Sequence, residues 1–281
     1  MYTVTANREL PGIRYGARII AVLLAWVLMP FVSSTAWAGV IKMQVTCGVD
    51  GTNVTVRMAN TGDEPCQNVV AHLKFRDQEM RAEAIPDFPP GKEAVKEFSL
   101  EAKDLTGTYP IIAVVDFEDL NSYPFSSVTI QHIRVGRVSQ GGLIATFEGQ
   151  AELSTKAKLP LRIRNRYVED VTATCRVITP NELFADDPEF EVKVPAKGEE
   201  RVNLGIENFS GTPSSAYPVH VLLEYYRNRE HFCAPATTMV SIVEPKATAS
   251  KKFWLVLLAV IVVAGLVFLP QIRKALAQRK K

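Results

Sequence analysis

The sequence predicts an all-β ectodomain of two tandem β-sandwiches, followed by a C-terminal transmembrane helix. Three observations carry this reading. Strand-like stretches of alternating apolar residues recur between turn residues, and the order of strands and turns is repeated in the second half. Two long apolar runs bracket the chain, and the charge between them differs in sign from the charge at the ends.

The N-terminal segment, residues 1–38, has the layout of a signal peptide. Arg14 and Arg18 precede the apolar run Ile19 to Val32, and Ala36-Trp37-Ala38 forms a small-x-small cleavage pattern before Gly39. An uncleaved helix extending to Trp37 is the alternative. In both cases the residues that follow lie outside the cytoplasm. From Gly39 to Pro245 there are 21 basic and 29 acidic residues, a net charge of −8, whereas eight basic and no acidic residues follow Pro245. An acidic middle argues against nucleic acid as a partner, because phosphate binding needs clustered positive charge.

In the first domain, residues 39–135, Val54 to Met58 alternates and Asn60-Thr-Gly-Asp63 turns the chain. Val69 to Phe75 is the next strand, Pro89-Pro-Gly-Lys92 a turn, and Val95 to Leu100 a further strand. Tyr109 to Phe117 and Ser127 to Ile133 complete the unit.

The second domain, residues 143–245, follows the same order. Leu159 to Asn165 corresponds to Val54 to Asn60, and Val171 to Val177 corresponds to Val69 to Phe75. Ala216-Tyr-Pro-Val-His-Val-Leu-Leu-Glu-Tyr225 aligns without a gap on Thr108-Tyr-Pro-Ile-Ile-Ala-Val-Val-Asp-Phe117. Residues 136–142, ending in Ser139-Gln-Gly-Gly142, form the linker. It carries no large apolar residue in that final stretch, which predicts a modest interface and two cores that fold independently.

Residues 246–252 form a juxtamembrane linker. Phe253 to Leu269 is a run of 17 residues without a polar side chain, about 26 Å as a helix and near the low end for crossing a bilayer. The transmembrane helix is therefore placed at residues 253–272. Arg273, Lys274, Arg279, Lys280 and Lys281 put the tail, residues 273–281, in the cytoplasm. The chain is then a single-pass protein of a bacterial inner membrane, with its ectodomain in the periplasm or outside the cell.

The strand ending in Asn60-Thr-Gly62, the Pro89-Pro-Gly-Lys92 turn and the Gly107-x-Tyr-Pro110 strand resemble bacterial immunoglobulin-like, adhesion-related domains of the CARDB type. The resemblance covers both halves and is clearer in the first, since the second has Asn165-Arg-Tyr167 in place of the Asn-Thr-Gly turn. It implies immunoglobulin-like sandwiches and a role in presentation or binding rather than chemistry.

Four cysteines allow three pairings. An even pair within each repeat favours Cys47–Cys66 and Cys175–Cys233, in keeping with an oxidising compartment. His231-Phe-Cys233 followed by Met239 holds the ligand types of a copper site, but in the wrong order and with Cys233 assigned to a disulfide. Asp116, Glu118 and Asp119 gather at a strand end, where a solvated acidic loop or a calcium site both fit. No catalytic or phosphate-binding motif is present.

Alternation lets only one of Tyr225 and Tyr226 face the core. These two tyrosines, with Asp116, Glu118 and Asp119, are the candidate partner contacts. The sequence therefore points to a non-enzymatic, cofactor-free scaffold for a protein partner in the cell envelope. The alternative is a carbohydrate-binding accessory of envelope polysaccharide synthesis or export, in which exposed aromatics would stack on sugar rings.

Overall fold

A computed structural model describes residues 41–149 and 151–244. The leader and the segments 246–252, 253–272 and 273–281 lie outside the described residues. Among the described residues every regular element is a strand, and no helix is long and apolar enough to cross a membrane.

The N-terminal half begins with β1 (Met43–Asp50), β2 (Asn53–Asn60), β3 (Cys66–Phe75) and β4 (Gln78–Arg81). It continues with β5 (Ile85–Phe88), β6 (Glu93–Ser99), β7 (Gly107–Glu118) and β8 (Pro124–Val135). The C-terminal half opens with β9 (Leu143–Phe147), β10 (Ala151–Leu153), β11 (Lys156–Asn165) and β12 (Val171–Ile178). Then come β13 (Leu183–Ala185), β14 (Glu189–Val194), β15 (Glu199–Asn208), β16 (Ala216–Arg227) and β17 (Glu230–Ile242).

These strands form three sheets. One holds β1, β2 and β6, and another β13, β15, β11 and β9. The third is ten-stranded and runs β14-β12-β16-β17-β7-β3-β4, with β5, β8 and β10 attached to its members. The ten-stranded sheet passes from one half to the other through a single parallel rung, His231 to Gly107.

Alternation fixes each core. In β2, Val54, Val56 and Met58 point inward, and they meet Ala71, Leu73 and Phe75 of β3 and Tyr109, Ile111 and Val115 of β7. A second cluster joins Leu159, Leu161 and Ile163 of β11 to Ala173, Cys175, Val221 and Leu223 of β12 and β16. Both clusters lie within one compact unit.

A buried asparagine does the same work in each half. Asn60 Nδ2 donates to the Glu64 carbonyl (2.8 Å) and the Phe88 carbonyl (3.1 Å), while its Oδ1 accepts from the Gly62 amide. Asn165 Nδ2 donates to the Glu169 carbonyl (2.8 Å) and the Val194 carbonyl (3.1 Å), and its Oδ1 accepts from the Tyr167 amide. Each side chain thus ties the end of a strand in one sheet to a carbonyl at the edge of the other. The Thr-Gly that follows Asn60 is dispensable for this, which is why Arg166-Tyr167 serves in the second half.

The adjacent turns are also matched. The Lys92 amide donates to the Pro89 carbonyl across Pro90-Gly91, with Gly91 at φ 77°. That is the geometry of a type II turn, which favours glycine at its third position. The Gly198 amide closes the same turn onto the Pro195 carbonyl, with Lys197 at φ 54° in place of the glycine.

The cysteine pairing expected from the repeats is not present: all four thiols are free. Cys175 is paired across the sheet with Leu223, whereas Cys233 is paired with Glu224. Leu223 faces the core and Glu224 the opposite surface, so Cys175 and Cys233 lie on different faces and cannot bond. Cys47 and Cys66 belong to different sheets, and the Cys66 thiol donates to the Phe88 carbonyl at 3.5 Å. Burial pushes the thiols of Cys47 and Cys66 up to about 11 and that of Cys175 to about 12, so the reactive thiolate is suppressed.

Alkylation of the unreduced, denatured protein, read by mass spectrometry, is expected to modify all four cysteines. A peptide linked through Cys175 and Cys233 would refute the free-thiol assignment. Asn60→Ala and Asn165→Ala each strand one buried carbonyl and unpair a half-buried one, and each is expected to lower stability by about 1–3 kcal/mol in urea denaturation.

Candidate functional site

The strand Tyr109 to Phe117 and its counterpart Tyr217 to Tyr225 are covered on both faces over most of their length, and the second face is where the two halves meet. Tyr109, Ile111, Ala113, Val115 and Phe117 fill the first core, leaving Ile112 and Val114 on the reverse side. Val219, Val221, Leu223 and Tyr225 fill the second core, leaving His220, Leu222 and Glu224 on theirs. Ile112, Val128 and Leu222 pack together between the halves, with Ile130, Ile178 and Cys233 around them. Leu222 is fully buried there. This seam supplies an apolar contact that the last stretch of the linker lacks.

Polar contacts cross the seam at three levels. At one end, the His231 amide donates to the Thr106 carbonyl (3.1 Å) and its ring Nδ1 to the Thr108 carbonyl (2.7 Å). The same ring stacks on Tyr109 at 4.3 Å. Gly107 sits at φ 134°, and a Cβ on it would lie 2.2 Å from the His231 carbonyl oxygen, so the rung requires glycine. In the middle, His220 Nε2 faces the Val128 carbonyl (3.4 Å) and Nδ1 meets the Thr237 hydroxyl (2.8 Å). A neutral ring donating from Nε2 and accepting at Nδ1 satisfies both partners.

At the other end, the Asn181 amide donates to Ser126 Oγ (2.7 Å) and Asn181 Nδ2 to Asp116 Oδ1 (3.2 Å). The Ser126 amide donates to Glu182 Oε1 (3.3 Å), while Glu182 Oε2 has no protein partner. Glu182 is 1% exposed. Burial, with Asp116 nearby adding repulsion, pushes its carboxyl up to about 7.

All four histidines of the chain sit on strands of this seam or beside it. His72 Nε2 lies 3.0 Å from Asp116 Oδ2. His132 Nε2 is buried without a partner, and burial together with Arg134 holds its ring below the usual imidazole range. Burial also lowers His220, against the opposing pull of the Val128 carbonyl. Glu224 is bracketed by Arg176 and His231. Burial raises its carboxyl, but those two partners hold it below the ordinary value.

The residues that the sequence marks as candidate contacts are distributed between internal and exposed roles. Tyr225 faces the core, and its hydroxyl accepts from the Gly142 and Leu143 amides (3.0 and 3.3 Å), fastening the end of the linker. Gly142 is packed against Tyr167, whose ring a Cβ would meet at 2.5 Å. Tyr226 faces outward at 69% exposure, edge-on to His231. Asp116 bridges His72 and Asn181, and Glu118 Oε2 accepts from Asn68 (2.9 Å). Burial raises the Asp119 carboxyl, but the Tyr123 and Asn121 amides that it caps (2.8 Å each), with the Asn121 side chain, together hold it below the ordinary value.

The three carboxylates therefore have separate partners, and among the described residues no group of three His, Cys, Asp or Glu side chains is placed to hold a metal. His231, Cys233 and Met239 are likewise apart in role, since His231 bonds Thr108, Cys233 packs in the seam and Met239 is exposed. A cleft of about 420 Å³ beside the linker is lined by Thr108, Arg134, Ser139, Gly141, Tyr225 and Cys233, among others.

Glu182 and His220 do not stand out in the sequence, and His231 stands out there only as a metal-ligand type, not as a seam residue. The one signal there is a histidine inside an apolar strand, and that pattern does not reveal a second buried face.

No protein-family model matches the chain, and no curated protein matches it. Solved structures with similarity include red sea bream transglutaminase, 14% identical over 79% of this chain and 33% of that one, at a TM-score of 0.28. Salmonella alpha-2-macroglobulin reacted with methylamine is 10% identical over 72% of this chain and 16% of its own, at 0.30. The native conformation of E. coli alpha-2-macroglobulin is 7% identical over 73% and 17%, also at 0.30. The chain spans a third or less of each of these proteins. At such scores the likeness bears on neither fold nor function.

The seam makes stability depend on pH from two sides. Glu182 has a raised folded value, about 7 against 4.5, so its contribution is complete below about pH 4.5 and is lost as pH rises through 7. His132 and His220 are lowered from 6.5, so theirs is present above that value and is lost as pH falls. Glu182→Gln is expected to flatten the alkaline limb of urea-denaturation stability, worth roughly 3 kcal/mol at most, and to leave the acid limb in place. An unchanged alkaline limb would refute the assignment.

Proposed function

We propose that the chain is a non-enzymatic, membrane-anchored scaffold of the bacterial cell envelope. It presents two immunoglobulin-like β-sandwiches, residues 39–135 and 143–245, outside the cytoplasm for a protein partner. The observation that carries this reading is the seam. Burying Leu222, His220 and His231 between the halves fixes their mutual orientation, as a display platform requires and as a flexibly tethered pair of domains would not.

The buried polar groups of the seam already have protein partners in most cases, and they serve orientation rather than turnover. Signal peptide, Phe253 to Leu269 and basic tail supply the address, with the acidic ectodomain on the far side of the membrane from the tail. Of the two candidate tyrosines, Tyr226, exposed beside the seam, is the one free to meet a partner.

Topology is the direct test. A reporter enzyme fused after Lys281 is expected to be active only in the cytoplasm, and one inserted near Gly141 only outside it. Periplasmic activity of the Lys281 fusion would refute the anchored reading. For the scaffold role, crosslinking from solubilised membranes with a photoreactive residue at Tyr226 is expected to capture an envelope protein. Capture of glycan alone would overturn the protein-partner reading.

A further inference from the structure

We infer that the end of the ectodomain carrying Leu120, Tyr123, Phe184 and Phe209 lies against the outer lipid surface of the membrane, with Phe209 entering the interfacial layer. The inference rests on the anchored reading above and adds an orientation to it.

The exit point of the chain decides which end faces the bilayer. β17 finishes at Ile242, clasped by the loop before β16: the Ser214 amide donates to the Ile242 carbonyl (2.9 Å), and the Ile242 amide to the Ser215 carbonyl (2.8 Å). From Glu244 to Phe253 the chain can reach at most about 30 Å fully extended. The opposite end of β17, at the Asn228–Arg229 turn, is about 40 Å further along a 13-residue strand. The end at Ile242 is therefore the one held near the bilayer.

The loops at that end are placed by named contacts. Asn208 Nδ2 bonds the Ser154 and Gly211 carbonyls, and the Phe209 amide donates to the Glu182 carbonyl (2.9 Å). Leu183 and Phe184 pair with Asn208 and Glu207. Phe184 and Phe209 thus belong to neighbouring segments, at 56% and 81% exposure.

The N-terminal half reaches the same end. β7 and β17 start level at the Gly107–His231 rung and run in the same direction. Contacts remain level further along, from His220 to Val128 and then from Asn181 to Asp116 and Ser126. The β7–β8 turn, with Leu120 at 58% and Tyr123 at 46% exposure, follows directly after these contacts.

Single exposed apolar residues are ordinary on protein surfaces. Four large ones at the end where the chain departs towards a 17-residue apolar run are not scattered, and aromatic side chains favour the lipid–water boundary. Charge is not the attraction: Lys156 at this end is paired with Asp186 (2.9 Å) and Glu207 (2.7 Å). The contact is apolar and is expected to be insensitive to salt.

The full chain, reconstituted into phosphatidylcholine vesicles that contain a nitroxide-labelled lipid, provides the test. Phe209→Cys carrying an environment-sensitive fluorophore is expected to show blue-shifted emission and loss of fluorescence to the nitroxide. Val95→Cys, on the exposed edge strand β6, is expected to show neither. Labelling at Tyr123→Cys gives an independent reading if the Phe209 variant misfolds, and unsubstituted protein gives the background from Cys233. An unquenched probe at both positions, in protein that floats with the vesicles, overturns the proposed orientation while the anchor stands. Protein left in the lipid-free fraction overturns both.

Discussion

Two strands of this fold are covered on both faces along most of their length, and much of the architecture follows from that constraint. β7 and β16 each contribute one row of side chains to a sandwich core and the other row to the seam between the halves. A strand buried on both sides must be apolar nearly throughout, and any polar group it carries must find a partner. The outer rows hold Asp116, His220 and Glu224, and each has one: His72 and Asn181, Thr237 and Val128, Arg176 and His231. Leu222 sits among them as the apolar centre. The need for backbone approach at Gly107 comes from the same packing, because β17 must come beside the start of β7 before the two outer faces can close.

The frame around those strands is set by short-range chemistry that is matched in the two halves. Asn60 and Asn165 each use one amide proton on a carbonyl in the opposite sheet, the other on a carbonyl of the following loop, and the side-chain oxygen on the next amide but one. Such a side chain fixes the distance between sheets at one corner, and a one-residue slip would turn it out of the core. The proline-led turns at Pro89 and Pro195 then return the chain into β6 and β15 in the same register. The same backbone geometry is met by glycine at position 91 and by lysine at 197, so the turn is imposed by its hydrogen bonds as much as by its residue types.

Alternation makes β2, β3, β6, β8, β11 and β12 legible in the sequence itself, and β7 and β16 show as apolar runs with a shared Tyr-Pro start. The three- and four-residue strands β4, β5, β10 and β13 are not, because so short a stretch has no period to detect. β17 escapes for a different reason: His231-Phe-Cys-Ala-Pro-Ala-Thr-Thr reads as mixed polar sequence until its outer face is known to be half covered. The same gap underlies the wrong disulfide, since the face on which Cys233 lies cannot be stated without the strand that carries it. Alternation correctly requires Tyr225 and Tyr226 to diverge, and it is Tyr225 that turns inward to hold the Gly142 and Leu143 amides. Asp116, Glu118 and Asp119 look like one acidic group along the chain, yet the pleat and the following turn hand them to three different sets of partners. Glu182 is beyond sequence altogether, because its burial is created by Ser126 from the other half.

The seam also bears on how such a chain can change over evolutionary time. A tandem of beads on a string can be lengthened, shortened or reshuffled one bead at a time. Here, excising either half would leave the other with apolar residues of the seam facing water. Recombination at the linker boundary would therefore uncover Ile112, Val128 and Leu222, a cost that separately tethered domains do not carry. A further copy joined in the same way would need a glycine where Gly107 stands, because any side chain there would run into the neighbouring strand's backbone.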